Sequence, residues 1–166
     1  MRIERLNDKF VAIGPLDLLS CELLQQIRVS AEPGKSRAVK ERLFPSPTRE
    51  KNSELRQEWR EYVEPELAEL FASHLHVIEN DLDGFPDGQP KEDEEGHVLY
   101  VPVKHLDAWI HGLNQARLAI AARNNFTERD LDRPIPFQGD VRALALFQVW
   151  FYGILEECFL RILDAD

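Results

Sequence analysis

An arginine, Arg117, lies in the middle of a stretch of sequence that otherwise has the pattern of an apolar helix face. At about 100° per residue, side chains three and four positions apart share one face of a helix. A guanidinium keeps its charge in proteins, so its burial requires an acidic partner or several carbonyl acceptors. The apolar members of the predicted face are Leu106, Trp109, Ile110, Leu113, Ala116, Ile120 and Ala121.

Two interpretations of Arg117 follow from this pattern. Glu156 and Glu157 interrupt the apolar sequence near the C-terminus, so either can form an internal ion pair with Arg117 that fixes how two helices pack. Alternatively, Arg117 lines a pocket for a carboxylate or phosphate, together with Asn114 and one of the two glutamates. We favour the ion pair, because buried charges are normally paired. The pocket would make the protein a small-molecule-binding protein or an enzyme.

Charge is distributed unevenly along the chain, which has a formal net charge of -10 at pH 7. Residues 79–95 contain eight acids and one base, and residues 33–51 contain six bases and two acids. We expect a protein partner to contact the basic segment or the acidic loop at residues 86–96. The six bases are Lys35, Arg37, Lys40, Arg42, Arg49 and Lys51.

Nucleic acid is the alternative partner for the basic segment at residues 35–51. A transcriptional regulator would use its lysines and arginines to neutralise phosphates, and its affinity would fall steeply with salt. The acidic balance of the whole chain disfavours this alternative, because affinity for a phosphate backbone depends on an excess of clustered Lys and Arg.

Motifs for catalysis, metal binding and cofactor binding are absent from the sequence. It contains no G-x-S-x-G elbow, no phosphate-binding glycine loop, no H-E-x-x-H and no paired C-x-x-C. His74 and His76 would point to nearly opposite sides of a helix and could not share a metal ion there. Asp107 and His111, four apart, suit a surface acid–imidazole pair. We therefore expect no catalytic residues, no metal and no cofactor.

The cysteines and the N-terminus indicate a cytoplasmic protein. Cys21 and Cys158 both lie among apolar residues, as small core side chains do in a reducing compartment. The first ten residues, MRIERLNDKF, lack the apolar core of a signal peptide. No uninterrupted apolar run approaches the roughly 20 residues of a membrane-spanning helix, so we expect no membrane association.

The predicted elements are a small antiparallel β element and several helices. Residues on either side of Asn7 suit a hairpin, and residues 97–101 suit a further strand. Pro15 is expected to end the second strand of the hairpin and to open a helix. Pro65 lies inside a long amphipathic segment and predicts a kink or break near Val63.

The predicted fold class is mainly α. The helix at about residues 140–163 has apolar side chains over most of its circumference, which predicts a buried C-terminal helix with a helical bundle around it. A small antiparallel β element completes the fold, formed by the N-terminal hairpin and the strand near residues 97–101. A chain of 166 residues fits a single domain, 1–166, with the acidic loop at residues 84–97 inside it.

Several segments match the pattern of a known family. They are the run Arg42-Leu43-Phe44-Pro45 and a core formed by Trp109, Leu113, Asn114, Arg117 and Leu118. On these segments the chain resembles an uncharacterised bacterial family, the domain of unknown function DUF2017. Ala121 stands where members usually have glycine, and the acidic insertion at residues 86–96 is longer than usual.

The resemblance implies no established activity, cofactor or catalytic residue. It implies a link to protein turnover, because some genes of the family lie beside the gene for the N-degron adaptor of the Clp protease. From the residues themselves we expect a non-enzymatic intracellular interaction or adaptor protein.

Overall fold

Three antiparallel strands form a small sheet in the order β1-β2-β3. The strands are β1 (Arg2–Arg5), β2 (Phe10–Leu16) and β3 (His97–Pro102) in a computed structural model that describes residues 1–50, 53–86, 96–131 and 140–165. Asn7 shapes the first hairpin, because its side-chain oxygen accepts hydrogen bonds from the backbone N–H groups of Lys9 and Phe10 at 2.8 and 3.1 Å. The predicted β element is confirmed.

The second strand does not end before Pro15 as predicted. β2 continues through Pro15 to Leu16, and helix α1 (Leu18–Gln25) begins only after Asp17. Pro15 has no N–H to donate to a neighbouring strand, and the pairing of β2 with β3 is irregular around it, which is where a sheet tolerates proline. Asp17 starts the helix instead, because its carboxylate accepts a hydrogen bond from the Ser20 N–H at 2.7 Å.

A π-helical turn interrupts the long helix in the middle of the chain. Helix α1 is followed by α2 (Ile27–Ala31), α3 (Arg37–Leu43) and α4 (Glu54–Glu58). A π-helical turn, Trp59–Val63, then joins α4 to α5 (Glu64–Asp81). Pro65 lies in the first turn of α5 directly after the π turn, and both proline and π turns are common causes of helix irregularity. The predicted kink or break near Val63 takes the form of this π turn, and the backbone stays helical through it.

Helix α6 (Leu106–Asn124) lies at the centre of the bundle. A short 3₁₀ turn, Val103–His105, leads into it from β3, and α6 packs against α2, α3, α5 and α8. Gly112 permits the close approach of α5, since a Cβ atom at this position would lie 2.3 Å from Cδ1 of Ile78. The prediction of a mainly helical fold with a small antiparallel sheet is confirmed.

The C-terminal helix α8 (Val141–Asp164), which follows the short helix α7 (Glu128–Leu131), packs against α6 along one face. Its opposite face is exposed at Trp150, which is 54% accessible to solvent, and its first residue, Val141, is 84% accessible. The expected burial over most of its circumference is therefore wrong, because apolar side chains occupy the exposed face as well as the core face. Its buried residues are Gln148, Val149, Phe151, Tyr152, Leu155 and Phe159.

Helix α8 is also long and apolar enough to cross a membrane, judged by length and composition within the described ranges. The expectation that no such segment exists was based on uninterrupted apolar runs and is corrected on this point. The finding is weak evidence about location, because the core helix of a soluble protein meets the same criterion.

Candidate functional site

Arg117 of α6 is ion-paired with Glu156 of α8, and its Nη1 donates a hydrogen bond to Glu156 Oε2. The side chain of Arg117 is 35% exposed and that of Glu156 is 16% exposed. The guanidinium lies against Gly153 of α8, where a Cβ atom would be 3.3 Å from Cζ of the arginine. Arg117 is thus paired across the two helices and is still partly open to solvent.

The other two residues considered for this site lie apart from the ion pair. Glu157 is exposed and pairs with Arg161 one turn later, with 2.5 Å between Glu157 Oε1 and Arg161 Nη2. Asn114 is exposed on α6 and does not line the groove described next. The structure therefore pairs Arg117 with Glu156, places Glu157 in the groove beside Arg117 and leaves Asn114 outside.

A half-open groove of about 270 Å³ lies beside the ion pair. Its walls are mainly apolar, so it suits an apolar group. Arg117 is the basic residue of its lining, and Glu156 already neutralises that guanidinium, which leaves little attraction for an anion. The groove is lined by Arg117, Leu131, Leu146, Val149, Trp150, Gly153, Ile154 and Glu157.

A larger cavity, of about 540 Å³, lies between α3 and the broken helix formed by α4, the π turn and α5. On one side the two helices are held together by Phe44 and Phe71, whose ring centroids are 5.5 Å apart. We call this space the basic cavity. It is lined by Arg37, Lys40, Glu41, Phe44, Ser46, Arg56, Trp59, Arg60, Glu64, Pro65 and Ala68.

The basic cavity has an excess of positive charge. Four bases and two acids line it, and Arg37 is paired with Glu41 at 2.7 Å. Within the ranges that the structure describes, Lys40, Arg56 and Arg60 form no ion pair. Since these three cationic groups have no acidic partner among the described residues, they can attract an anionic ligand into the cavity.

Two N–H groups of the cavity lining lack hydrogen-bond acceptors. Nε of Arg56 and Nε1 of Trp59 are shielded from solvent and have no partner in the described part of the chain. Such a donor costs about 1–3 kcal/mol while it is unsatisfied. Arg56 in α4 and Trp59 at the start of the π turn are three residues apart and so share a helix face, and π turns are frequent at functional sites. An oxygen of a bound ligand can satisfy these donors once the side chains rotate.

The structure separates the basic residues that were predicted to contact a partner. Arg37 and Lys40 line the basic cavity. Lys51 and residues 87–95 of the acidic loop lie outside the described residues. The remaining three bases are exposed and are not part of the cavity lining: Lys35, Arg42 and Arg49.

Sequence reasoning missed Arg56, Trp59 and Arg60. The structure leaves Trp59 half-buried in the cavity wall. A usable signal was present: Arg56 and Arg60 are four residues apart and share a helix face, with Trp59 between them.

The histidines form pairs and contribute to no metal cluster in the described ranges. His74 of α5 stacks on His111 of α6, with ring centroids 4.9 Å apart and ring planes inclined by 13°. His111 in turn lies 3.5 Å from Asp107, the pairing expected from their spacing. His105 pairs with Asp81, which is described below as a structural contact.

The fold and the cavities define a mainly helical protein with a small antiparallel sheet, a half-open apolar groove and a basic cavity. The chain belongs to the family described as a domain of unknown function, DUF2017, whose model matches residues 8–163. No curated protein and no solved structure matches this chain.

Proposed function

We propose that the protein is a non-enzymatic interaction or adaptor protein that binds an acidic segment of a protein partner in the basic cavity. The observation that supports this proposal is a group of three cationic side chains, Lys40, Arg56 and Arg60, that surround one concave space and form no ion pair with the residues that the structure describes. Arginine and tryptophan are the residue types that most often dominate the binding energy of protein interfaces.

A protein partner fits the cavity better than nucleic acid. Binding of a nucleic-acid duplex or single strand needs a row of Lys and Arg side chains that follows many phosphates. The affinity depends on how many of these phosphates are neutralised. Here the cations surround one cavity that also contains Glu41 and Glu64, on a chain of net charge -10. A short acidic segment of a protein satisfies a few cations without presenting a continuous polyanion to the rest of the surface.

Small-molecule binding at Arg117 is a second candidate, because Arg117 is partly exposed and lines the groove on α8. It is less well supported, since the charge of Arg117 is already matched by Glu156. The test is a thermal-shift screen of small carboxylates and phosphates. If this candidate is correct, a ligand should raise the melting temperature of the wild type and not that of Arg117→Met.

We also propose a cytoplasmic location and a role in protein turnover. The location is supported by Cys21 and Cys158, which are both free thiols. The role in turnover follows the family resemblance alone. Cell fractionation tests the cytoplasmic location. Recovery of Clp protease components with the tagged protein tests the role in protein turnover.

The test of the proposed function is a tagged pull-down from native cell extract at low and moderate salt, with partners identified by mass spectrometry. The cavity variant replaces Lys40, Arg56 and Arg60 with glutamine. The matched control removes the same charge from the same region, outside the cavity lining, by changing Lys35, Arg42 and Arg49 to glutamine.

We expect the wild type and the control to retain one stoichiometric protein that the cavity variant loses, and that protein should contain an acidic segment. Both variants should keep the wild-type circular dichroism spectrum, because none of the changed residues belongs to the hydrophobic core. A partner that the cavity variant retains, or nucleic acid recovered in place of protein, would contradict the proposal.

A further inference from the structure

The basic cavity combines two kinds of surface, which together specify its ligand more narrowly than charge alone. Its cations are Arg37, Lys40, Arg56 and Arg60. Between them lie apolar side chains, chiefly the rings of Phe44 and Trp59, with Pro65 and Ala68. A purely polyanionic ligand would make no use of this apolar surface, whereas a purely apolar ligand would leave the cations without a counter-charge.

We infer that the basic cavity recognises a peptide in which an aromatic side chain is flanked by acidic residues. The aromatic ring would enter between Phe44 and Trp59, and the flanking carboxylates would pair with Lys40, Arg56 and Arg60. This inference rests on the proposed function and names the chemistry of the segment that is bound.

The size of the cavity agrees with this ligand. Cavities of about 300–1,000 Å³ hold ligands of small-molecule size, and the 540 Å³ of the basic cavity has room for one large side chain and its flanking groups, but not for a folded element. Aromatic rings also prefer offset or edge-to-face contact with other rings, which Phe44 at the end of α3 and Trp59 in the π turn can provide.

The unsatisfied donors of the cavity favour a peptide over a hydrocarbon. Nε of Arg56 and Nε1 of Trp59 have no acceptor in the described ranges. A peptide brings backbone carbonyls and carboxylates, each able to accept from an N–H that rotates toward it. Binding would therefore remove a polar cost that the unbound protein has, in addition to burying the aromatic ring.

The inference is tested by isothermal titration of the full-length chain with two pentapeptides at low salt. One has phenylalanine between two pairs of glutamates, and the other has glycine in its place. Adenosine monophosphate is the third probe, since it too combines a ring with an anion. Trp59→Leu removes the aromatic wall, and Trp150→Leu is the matched control, because Trp150 is exposed on α8 outside the basic cavity.

We expect the phenylalanine peptide to bind on the order of tenfold more tightly than the glycine peptide, as burial of one aromatic side chain implies. Trp59→Leu should abolish this preference, and Trp150→Leu should preserve it. A melting curve for each variant establishes that it is folded before titration.

Each remaining outcome has a definite meaning. Equal binding of both peptides, lost in the variant with Lys40, Arg56 and Arg60 changed to glutamine, would overturn the inference and leave the proposed function standing. Failure of both peptides to bind the wild type would overturn both. Tighter binding of adenosine monophosphate than of either peptide would also overturn both and would identify a nucleotide site.

Discussion

Arg117 and Glu156 join the two helices at the centre of the molecule by a charged hydrogen bond across an otherwise apolar contact. The relationship explains why an arginine interrupts the apolar face of α6. It also explains why Gly153 lies opposite, because a side chain at that position would compete with the guanidinium for space. Removal of one partner leaves the other partly desolvated without a counter-charge, and that cost is larger than the net value of the pair itself.

Arg117→Met should therefore lower the free energy of unfolding by about 1–2 kcal/mol, a discounted value because the arginine is 35% exposed. Urea unfolding followed by circular dichroism measures it. The matched control is Arg161→Met, which breaks the exposed pair with Glu157 and should change stability by no more than about 0.5 kcal/mol. The double variant Arg117→Met/Glu156→Leu should recover most of the loss. An unchanged midpoint for Arg117→Met would show that the ion pair does not stabilise the fold.

Asp81 should be essential to the contact between the end of α5 and the start of α6. Its side chain is 7% exposed and is 2.8 Å from His105 Nδ1, and it accepts a hydrogen bond from Trp109 Nε1 at 2.8 Å. In Asp81→Asn the amide NH₂ takes the place of one acceptor, so one buried donor loses its partner. We expect a destabilisation of about 1–3 kcal/mol in chemical denaturation. Asp83→Asn, an exposed acid two residues later, is the control and should be neutral.

The stacked pair His74 and His111 should make stability depend on pH. Burial lowers the pKa of His74, and the neighbouring His111 lowers it further, while Asp107 acts in the opposite direction. Because the folded protein then binds a proton less readily than the unfolded chain, the contribution of His74 is fully favourable above the ordinary pKa near 6.5. It is lost as the pH falls through that value toward the lower folded pKa.

Replacing His74 with glutamine should therefore reduce the fall in stability between about pH 7 and pH 5. The measurement is the urea midpoint at closely spaced pH values. His76→Gln is the matched control, because His76 lies on the same helix with its side chain 70% exposed. A pH profile for His74→Gln that superimposes on the wild type would contradict this account of the pair.

The sequence predicted features that depend on local pattern. The hairpin around Asn7, the helix irregularity next to Pro65 and the mainly helical fold all follow from turn residues, proline geometry and apolar periodicity. The approach of Arg117 to Glu156 followed from the rule that a charge on an apolar face needs a partner. The first three features depend on residues that are close in sequence. The ion pair depends only on the requirement that a buried charge has a partner.

Features that depend on how distant segments pack were not predictable in the same way. Asp81 belongs to a stretch rich in acids that suggests a solvated surface, yet it is buried by contact with α6. The basic cavity joins residues of α3 to residues of α4 and the π turn, which sequence reasoning treated separately. Helix α8 has apolar residues on every side, so composition alone could not show which face lies against α6.

Replacement of Gly112 by alanine should destabilise the protein, because the added methyl group would collide with a side chain of α5. The Cβ of alanine would lie 2.3 Å from Cδ1 of Ile78, and because Ile78 is 1% exposed, its terminal methyl group would have to rotate within packed surroundings or α5 and α6 would have to separate. Overpacking of this kind costs about 1–3 kcal/mol, and the gain of about 1 kcal/mol in helix propensity from glycine to alanine offsets part of it. We expect a net loss of stability in chemical denaturation.

The change Ile78→Val removes the atom with which the new methyl group collides. Alone it should cost about 0.5–1.5 kcal/mol, because it deletes a buried methyl group. In the double variant Gly112→Ala/Ile78→Val, the added Cβ occupies the space that the deleted Cδ1 leaves, so the double variant should be more stable than the sum of the single changes implies. The double-mutant cycle measures this coupling directly. Additive effects would mean that the contact with Cδ1 of Ile78 is not the reason for the loss of stability in Gly112→Ala.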